Sequence, residues 1–154
     1  MYSKEDAAQI RKQFWTSLGQ YMRPIPSEWN PRVNWLNYHT GIKGIFLRMH
    51  ADRNMAFIGL EIIYSDAEWR KGVFEAFLPL KTLLHSTLEE EWMWEAEAWD
   101  EHGKSLSRIY TVLPQVNVMR QEDWPLMIAF FKPRLIAFDA FWAGAKEHLD
   151  WLNG

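Results

Sequence analysis

An α+β domain is the fold class that this sequence predicts: one antiparallel sheet of four strands, made of two hairpins, packed with three main helices in the order α-β-β-α-β-β-α. Three observations lead there. Two regions, 42–64 and 92–113, alternate apolar and polar residues on either side of short polar turns. Three other regions carry apolar residues at every third or fourth position. The chain has 154 residues, 48% of them hydrophobic and none a cysteine, so one core can form without disulfides or metals and residues 1–154 read as a single domain.

Ser3, with Asp6 three residues on, makes a capping pair, and Ala7, Ile10, Phe14, Leu18 and Tyr21 keep helical spacing through Arg23. Pro24-Ile25-Pro26 and Asn30-Pro31 end that helix, because proline lacks an amide hydrogen and restricts the residue before it. Residues 24–41 are expected to be a long irregular connection, with one helical turn capped by Asn30 and started by Pro31. From Ile42 to His50, Ile45, Leu47 and Met49 alternate with Phe46, Arg48 and His50. The turn 51–54 returns the chain into Met55 to Tyr64, where Ala56, Ile58, Leu60 and Ile62 alternate with Phe57, Gly59 and Glu61.

Ser65 and Glu68 form a second capping box, and Trp69, Val73, Phe77, Leu80 and Leu84 carry a helix to about Leu88, with a kink or break expected at Pro79. The next alternation sets Trp92, Trp94, Ala96 and Ala98 against Met93, Glu95, Glu97 and Trp99. After the turn 101–104, Ser105 to Leu113 sets Ile109, Thr111 and Leu113 against Arg108 and Tyr110. Asp123-Trp124-Pro125 opens the last helix, which runs to about Trp151 and is expected to bend at Pro133; its second half leaves a face for a homodimer contact. The two strand-strand-helix passes, 42–88 and 92–151, share a plan without sharing enough side chains for a repeat.

Composition excludes several chemistries. Without cysteine there is no disulfide, thiolate nucleophile or cysteine-held metal. The polar N-terminal residues carry no secretory signal, and no apolar run approaches the roughly 18 residues of a membrane span, so a cytoplasmic protein without membrane contact is expected. A net charge of −3 argues against a general electrostatic grip on nucleic acid. Charge is uneven, however: Arg32, Lys43, Arg48 and Arg53 make a basic stretch and residues 89–101 an acidic one, and the two are expected to meet in the fold. The five histidines show no paired spacing for zinc, and there is no glycine-rich phosphate loop, dinucleotide fingerprint or nucleophile elbow. No catalytic residue, cofactor or metal ligand is therefore assigned.

The run Asn34-Trp35-Leu36-Asn37-Tyr38-His39-Thr40-Gly41-Ile42-Lys43 stands out. Together with Phe14-Trp15, Pro24-Ile25-Pro26, Trp92-Met93-Trp94 and Ser107-Arg108-Ile109, it resembles an uncharacterised bacterial family, a domain of unknown function found alone or C-terminal to restriction-endonuclease-like nuclease domains. The resemblance covers nearly the whole chain. It implies a domain in the company of DNA-processing proteins and no activity of its own.

Two groups of side chains are candidates for a site. On the sheet, strand parity puts Arg48, Glu61, Glu95, Glu97 and Arg108 on one face, where the glutamates either pair with the arginines structurally or position them for an anionic ligand. In the loop, Asn37, Tyr38 and Lys43 offer amide, phenol and ammonium at the sheet edge, while the plainer use has Asn34, Asn37, His39 and Thr40 bond loop backbone and Trp35 and Tyr38 pin the loop to the core. The function expected from both is a non-catalytic binding or accessory module with a protein or nucleic-acid partner. The alternative is a divalent-metal nuclease using Glu61, Glu95 and Glu97; against it, no lysine follows an acidic residue by two positions, as restriction-endonuclease-type cores require.

Overall fold

The computed structural model describes residues 2–153. Its helices are α1 (Lys4–Met22), α2 (Ala67–Phe77), α3 (Lys81–Leu88) and α4 (Trp124–Leu149), and its strands are β1 (Ile45–Ala51), β2 (Met55–Ile62), β3 (Met93–Trp99) and β4 (Ser105–Pro114). The strands form one antiparallel sheet in the order β1-β2-β4-β3, so the second strands of the two hairpins meet at its centre. The α+β class and the element order are those the sequence predicts. No described helix is long and apolar enough to cross a membrane.

Local chemistry explains the boundaries. The Ser3 hydroxyl accepts from the Asp6 amide and the Asp6 carboxylate accepts from the Ser3 amide, closing the first capping box. At the second helix the cap is Asp66, one residue later than expected, with its carboxylate accepting from the Trp69 amide at 2.9 Å. Pro79 divides the helical stretch rather than bending it, and α2 and α3 are joined by a 3-10 turn over Leu78–Leu80. Pro133 lies inside an uninterrupted α4. The helical turn within 24–41 falls at Trp35–Asn37, capped by Asn34, while after Asn30 the chain makes a non-helical turn in which the Asn30 side chain accepts from the Arg32 amide at 2.9 Å. β1 starts at Ile45 rather than Ile42, because Thr40 Oγ accepts from the Ile42 amide and donates toward the carbonyls of Ile42 and Ile45, and Gly44 takes a φ of 90°.

Helices cover one face of the sheet. Phe14, Leu18 and Met22 of α1 and Phe131, Leu135, Phe138 and Trp142 of α4 bury in one core with Ile58, Leu60 and Ile109, joined by Leu84 and by Phe77, which stacks on Trp142. Each such side chain contributes roughly 1.5–3 kcal/mol. The basic and acidic stretches do not pair with each other, because β1 and β3 occupy opposite edges of the sheet. Glu90 instead makes a bidentate pair with Arg134 of α4 at 2.6 and 3.0 Å, and also accepts from the Trp92 indole.

Strand β3 departs from strict alternation. Its register against β4 shifts between Glu95, opposite Arg108, and Ala98, opposite Leu106. This bulge turns the following residues over.

Candidate functional site

The face of the sheet away from the helices is built of three cross-strand rows. The first is Phe46, Glu61, Arg108 and Glu95; the second is Arg48, Gly59, Tyr110 and Met93; the third is His50, Phe57 and Val112. Glu61 is the centre. Arg48 Nε lies 2.9 Å from one of its carboxylate oxygens and Arg108 Nε 3.2 Å from the other, and the Glu61 side chain keeps only 10% of its surface. A carboxylate that deep needs such partners, since an unpaired buried charge costs several kcal/mol.

Both guanidinium groups also rest on aromatic rings. Arg48 lies 4.5 Å from the Phe46 centroid, and Arg108 lies 5.6 Å from each of Phe57 and Tyr110, which stack on one another at 5.4 Å. Each arginine uses its Nε on Glu61, and its terminal amino groups have no hydrogen-bonding partner among the described residues. Half of the Arg48 side-chain surface is open. Burial, helped by the neighbouring Glu95 carboxylate, pushes the Tyr110 hydroxyl above its ordinary range and keeps it protonated.

Arg48, His50, Phe57, Glu61 and Arg108 line a cleft of about 590 Å³ together with Asp100, Glu101 and Lys104 of the β3–β4 turn. Asp100 accepts from the amides of Lys104 and His102, which hold its carboxyl below the usual range and tie it to the turn. Gly59 lies between Arg48 and Tyr110 in the second row, where a Cβ would stand 2.6 Å from Tyr110 Cβ and 2.8 Å from the Phe57 ring. Gly59→Ala is expected to destabilise the fold by about 1–3 kcal/mol through overcrowding. Urea unfolding followed by tryptophan fluorescence would check this.

Strand parity thus brings Arg48, Glu61, Glu95 and Arg108 together. Glu97 is a correction: the bulge turns it to the helix side, where it meets Nη2 of Arg70 at 3.2 Å. Arg70 is 2% exposed and also donates to the Tyr64 carbonyl. The three glutamates therefore do not share a site, and among the described residues no group of three or more His, Asp or Glu side chains is placed to hold a metal ion.

The loop residues divide. Asn37 and Lys43 are exposed beside a shallow depression of about 280 Å³ formed by residues 37–46. Tyr38, which also contributes to that depression, is buried and pins the loop to the core. Its hydroxyl donates to Asp139 at 2.6 Å and accepts from the Trp29 indole at 2.8 Å, and burial together with the Asp139 hydrogen bond pushes its ionisation far above the ordinary range. Asp139, which sequence reasoning missed, is 1% exposed and accepts from Ser27 Oγ, the Glu28 amide and Tyr38. A signal was present: Asp139 is four residues after Leu135 and three before Trp142, on the apolar side of the helix. His85 likewise serves structure, its Nε2 accepting from the Trp92 amide and the Trp94 indole, so the ring proton is on Nδ1.

A family described as a domain of unknown function, DUF4268, matches residues 10–146. No curated protein and no solved structure matches the chain.

Proposed function

The chain belongs to the DUF4268 family, a domain of unknown function, and we propose that it is a non-catalytic binding module that takes an anionic group of a partner on the open face of its sheet. The observation that carries the reading is the Arg48–Glu61–Arg108 arrangement. One carboxylate holds two guanidinium groups by their Nε edges and leaves their terminal amino groups for a ligand. That geometry suits a carboxylate or a phosphate oxygen pair, and the aromatic rings beneath stiffen both arginines. The partner is a protein or a nucleic acid, and the resemblance to domains that accompany nuclease-like proteins supports a bacterial, DNA-processing or defence setting. A metal-dependent nuclease is not favoured, because Glu97 is turned away and Glu61 is occupied by the arginines.

Anisotropy titrations at low salt with a labelled polyglutamate peptide and a labelled single-stranded oligonucleotide test the reading. At least one probe is expected to bind, and Arg48→Gln combined with Arg108→Gln is expected to weaken it by about tenfold or more, as loss of charge-assisted bonds requires. Failure of both probes to bind, or binding indifferent to both substitutions in a protein of unchanged circular dichroism, would overturn it.

A further inference from the structure

The hydrogen-bond parity of β1 leaves one side of its backbone without a ladder partner among the described residues. The Gly44 carbonyl accepts from the Ile63 amide at 2.9 Å just before the strand, and the Asp52 amide donates to the Met55 carbonyl at 3.0 Å just after it. With Phe46 opposite Glu61 and His50 opposite Phe57, the backbone groups of Phe46, Arg48 and His50 turn inward to β2. Those of Leu47, Met49 and Ala51 turn outward, at the edge of the sheet. Ile45 is already engaged, through its amide to the Ile42 carbonyl and its carbonyl to Thr40 Oγ.

The two sheet edges differ. β3 is interrupted by its bulge between Glu95 and Ala98, a device by which natural edges refuse an added strand. β1 pairs without a break from Ile45 to Ala51 and contains no proline or lysine. Its exposed charges are all positive except for Asp52. Lys43 precedes it, Arg48 stands on its open face, and Arg53 follows it. The Asp52 carboxylate is already consumed: although burial alone would raise its ionisation, the amides of Asn54 and Met55 and the His50 ring hold it below the usual range.

We propose that the outer edge of β1 accepts an extended, acidic segment of a partner protein as a fifth strand of the sheet. This rests on the reading of the open face given above and names the partner that the face takes. Outward amides and carbonyls of Leu47, Met49 and Ala51 supply the ladder, as in other strand additions. In the added strand, side chains on the open face run beside Phe46, Arg48 and His50, so a carboxylate there reaches the free amino groups of Arg48. The alternate side chains run beside Leu47, Met49 and Ala51 and are apolar. Pairing with a second copy of this chain is disfavoured, because it would gather Lys43, Arg48 and Arg53 of two molecules along one seam.

The test uses a fluorescein-labelled peptide about ten residues long, enough to run the length of β1, alternating glutamate and valine. It is compared with the same peptide carrying N-methyl groups at alternate residues and with a lysine-valine version. The first peptide is expected to bind and to slow hydrogen exchange at the amides of Leu47, Met49 and Ala51. N-methylation is expected to weaken it by about tenfold or more, three ladder bonds being at stake, and the lysine version is expected not to bind. Met49→Pro, which removes an outward amide and no bond to β2, weakens the first peptide in parallel, and the N-methylated ligand gives the same readout on unaltered protein. No binding at about 1 mM, or equal binding with and without N-methyl groups, overturns the proposal. In the second case the anionic-group reading survives. Sensitivity to N-methylation with no loss in Arg48→Gln would keep the strand addition and overturn the anionic-group reading instead.

Discussion

Asp139→Ala is expected to lower the stability of the protein by about 3–5 kcal/mol, because three donors lose their acceptor in a site with almost no access to water. The Ser27 hydroxyl, the Glu28 amide and the Tyr38 hydroxyl come from a segment with few regular hydrogen bonds of its own, and all three converge on this carboxylate from α4. Ser27 Oγ in turn accepts from the amides of Trp29 and Asn30, so the loss spreads along the loop. Asp139→Asn should cost less, since an amide keeps one acceptor oxygen and the hydroxyls can rotate to receive its N–H. Denaturant unfolding of the two variants would rank them. Hydrogen exchange should show the larger opening confined at first to residues 24–41. Equal stability of wild type and Asp139→Ala would mean that the loop is held by its aromatic packing alone.

Tyr38→Phe is expected to change how stability depends on alkaline pH. Below the ordinary tyrosine pKa of about 10 both the folded and the unfolded chain keep the phenol proton, and the wild type is favoured by its bonds to Asp139 and Trp29. Above it, the unfolded chain releases the proton while the buried Tyr38 retains it, so rising pH draws the equilibrium toward unfolding, at up to about 1.4 kcal/mol per pH unit. Phenylalanine has no proton to lose. The variant should therefore start less stable by about 1–2 kcal/mol at neutral pH, through the lost hydrogen bonds, and decline less steeply above pH 10, so that the two curves converge or cross. Tyr64 and Tyr110 are also raised by burial and contribute the same alkaline slope to both proteins. Parallel urea midpoints from neutral to strongly alkaline pH would contradict the buried position of Tyr38.

What could be read from the chain alone follows from which signals are local. Alternation placed Arg48, Glu61, Glu95 and Arg108 on one face, and the structure places them there, because a period of two persists wherever strands pair without interruption. Glu97 escaped because the bulge inserts one residue with no glycine to mark it, and the same count of positions then points the wrong way. Ser65 and Asp66 are both good caps, so their competition was invisible until the helix was seen to choose the aspartate. The loop around Asn34 was legible as unusual, and of the two uses open to Tyr38 the structure shows the plainer one, a ring pinning the loop to the core, while the group that holds it there was not legible. Its partner Asp139 is 101 residues away, and no pattern within the loop announces a contact at that distance. The charge stretches were expected to meet; Arg48 does share a cleft with Asp100 and Glu101, but among the described residues no ion pair joins the stretches because strand order sets β1 and β3 at opposite edges.

The junction of β2 with β4 at the middle of the sheet bears on how the chain assembles in time. Each hairpin closes over a short span and can zip within microseconds on its own, while the central seam joins residues such as Leu60 and Ile109 that are far apart along the chain. Loop closure makes that central seam the costlier contact to form, and Phe131, Leu135 and Phe138 of α4, buried in the same core as Leu60 and Ile109, hold it once it has formed.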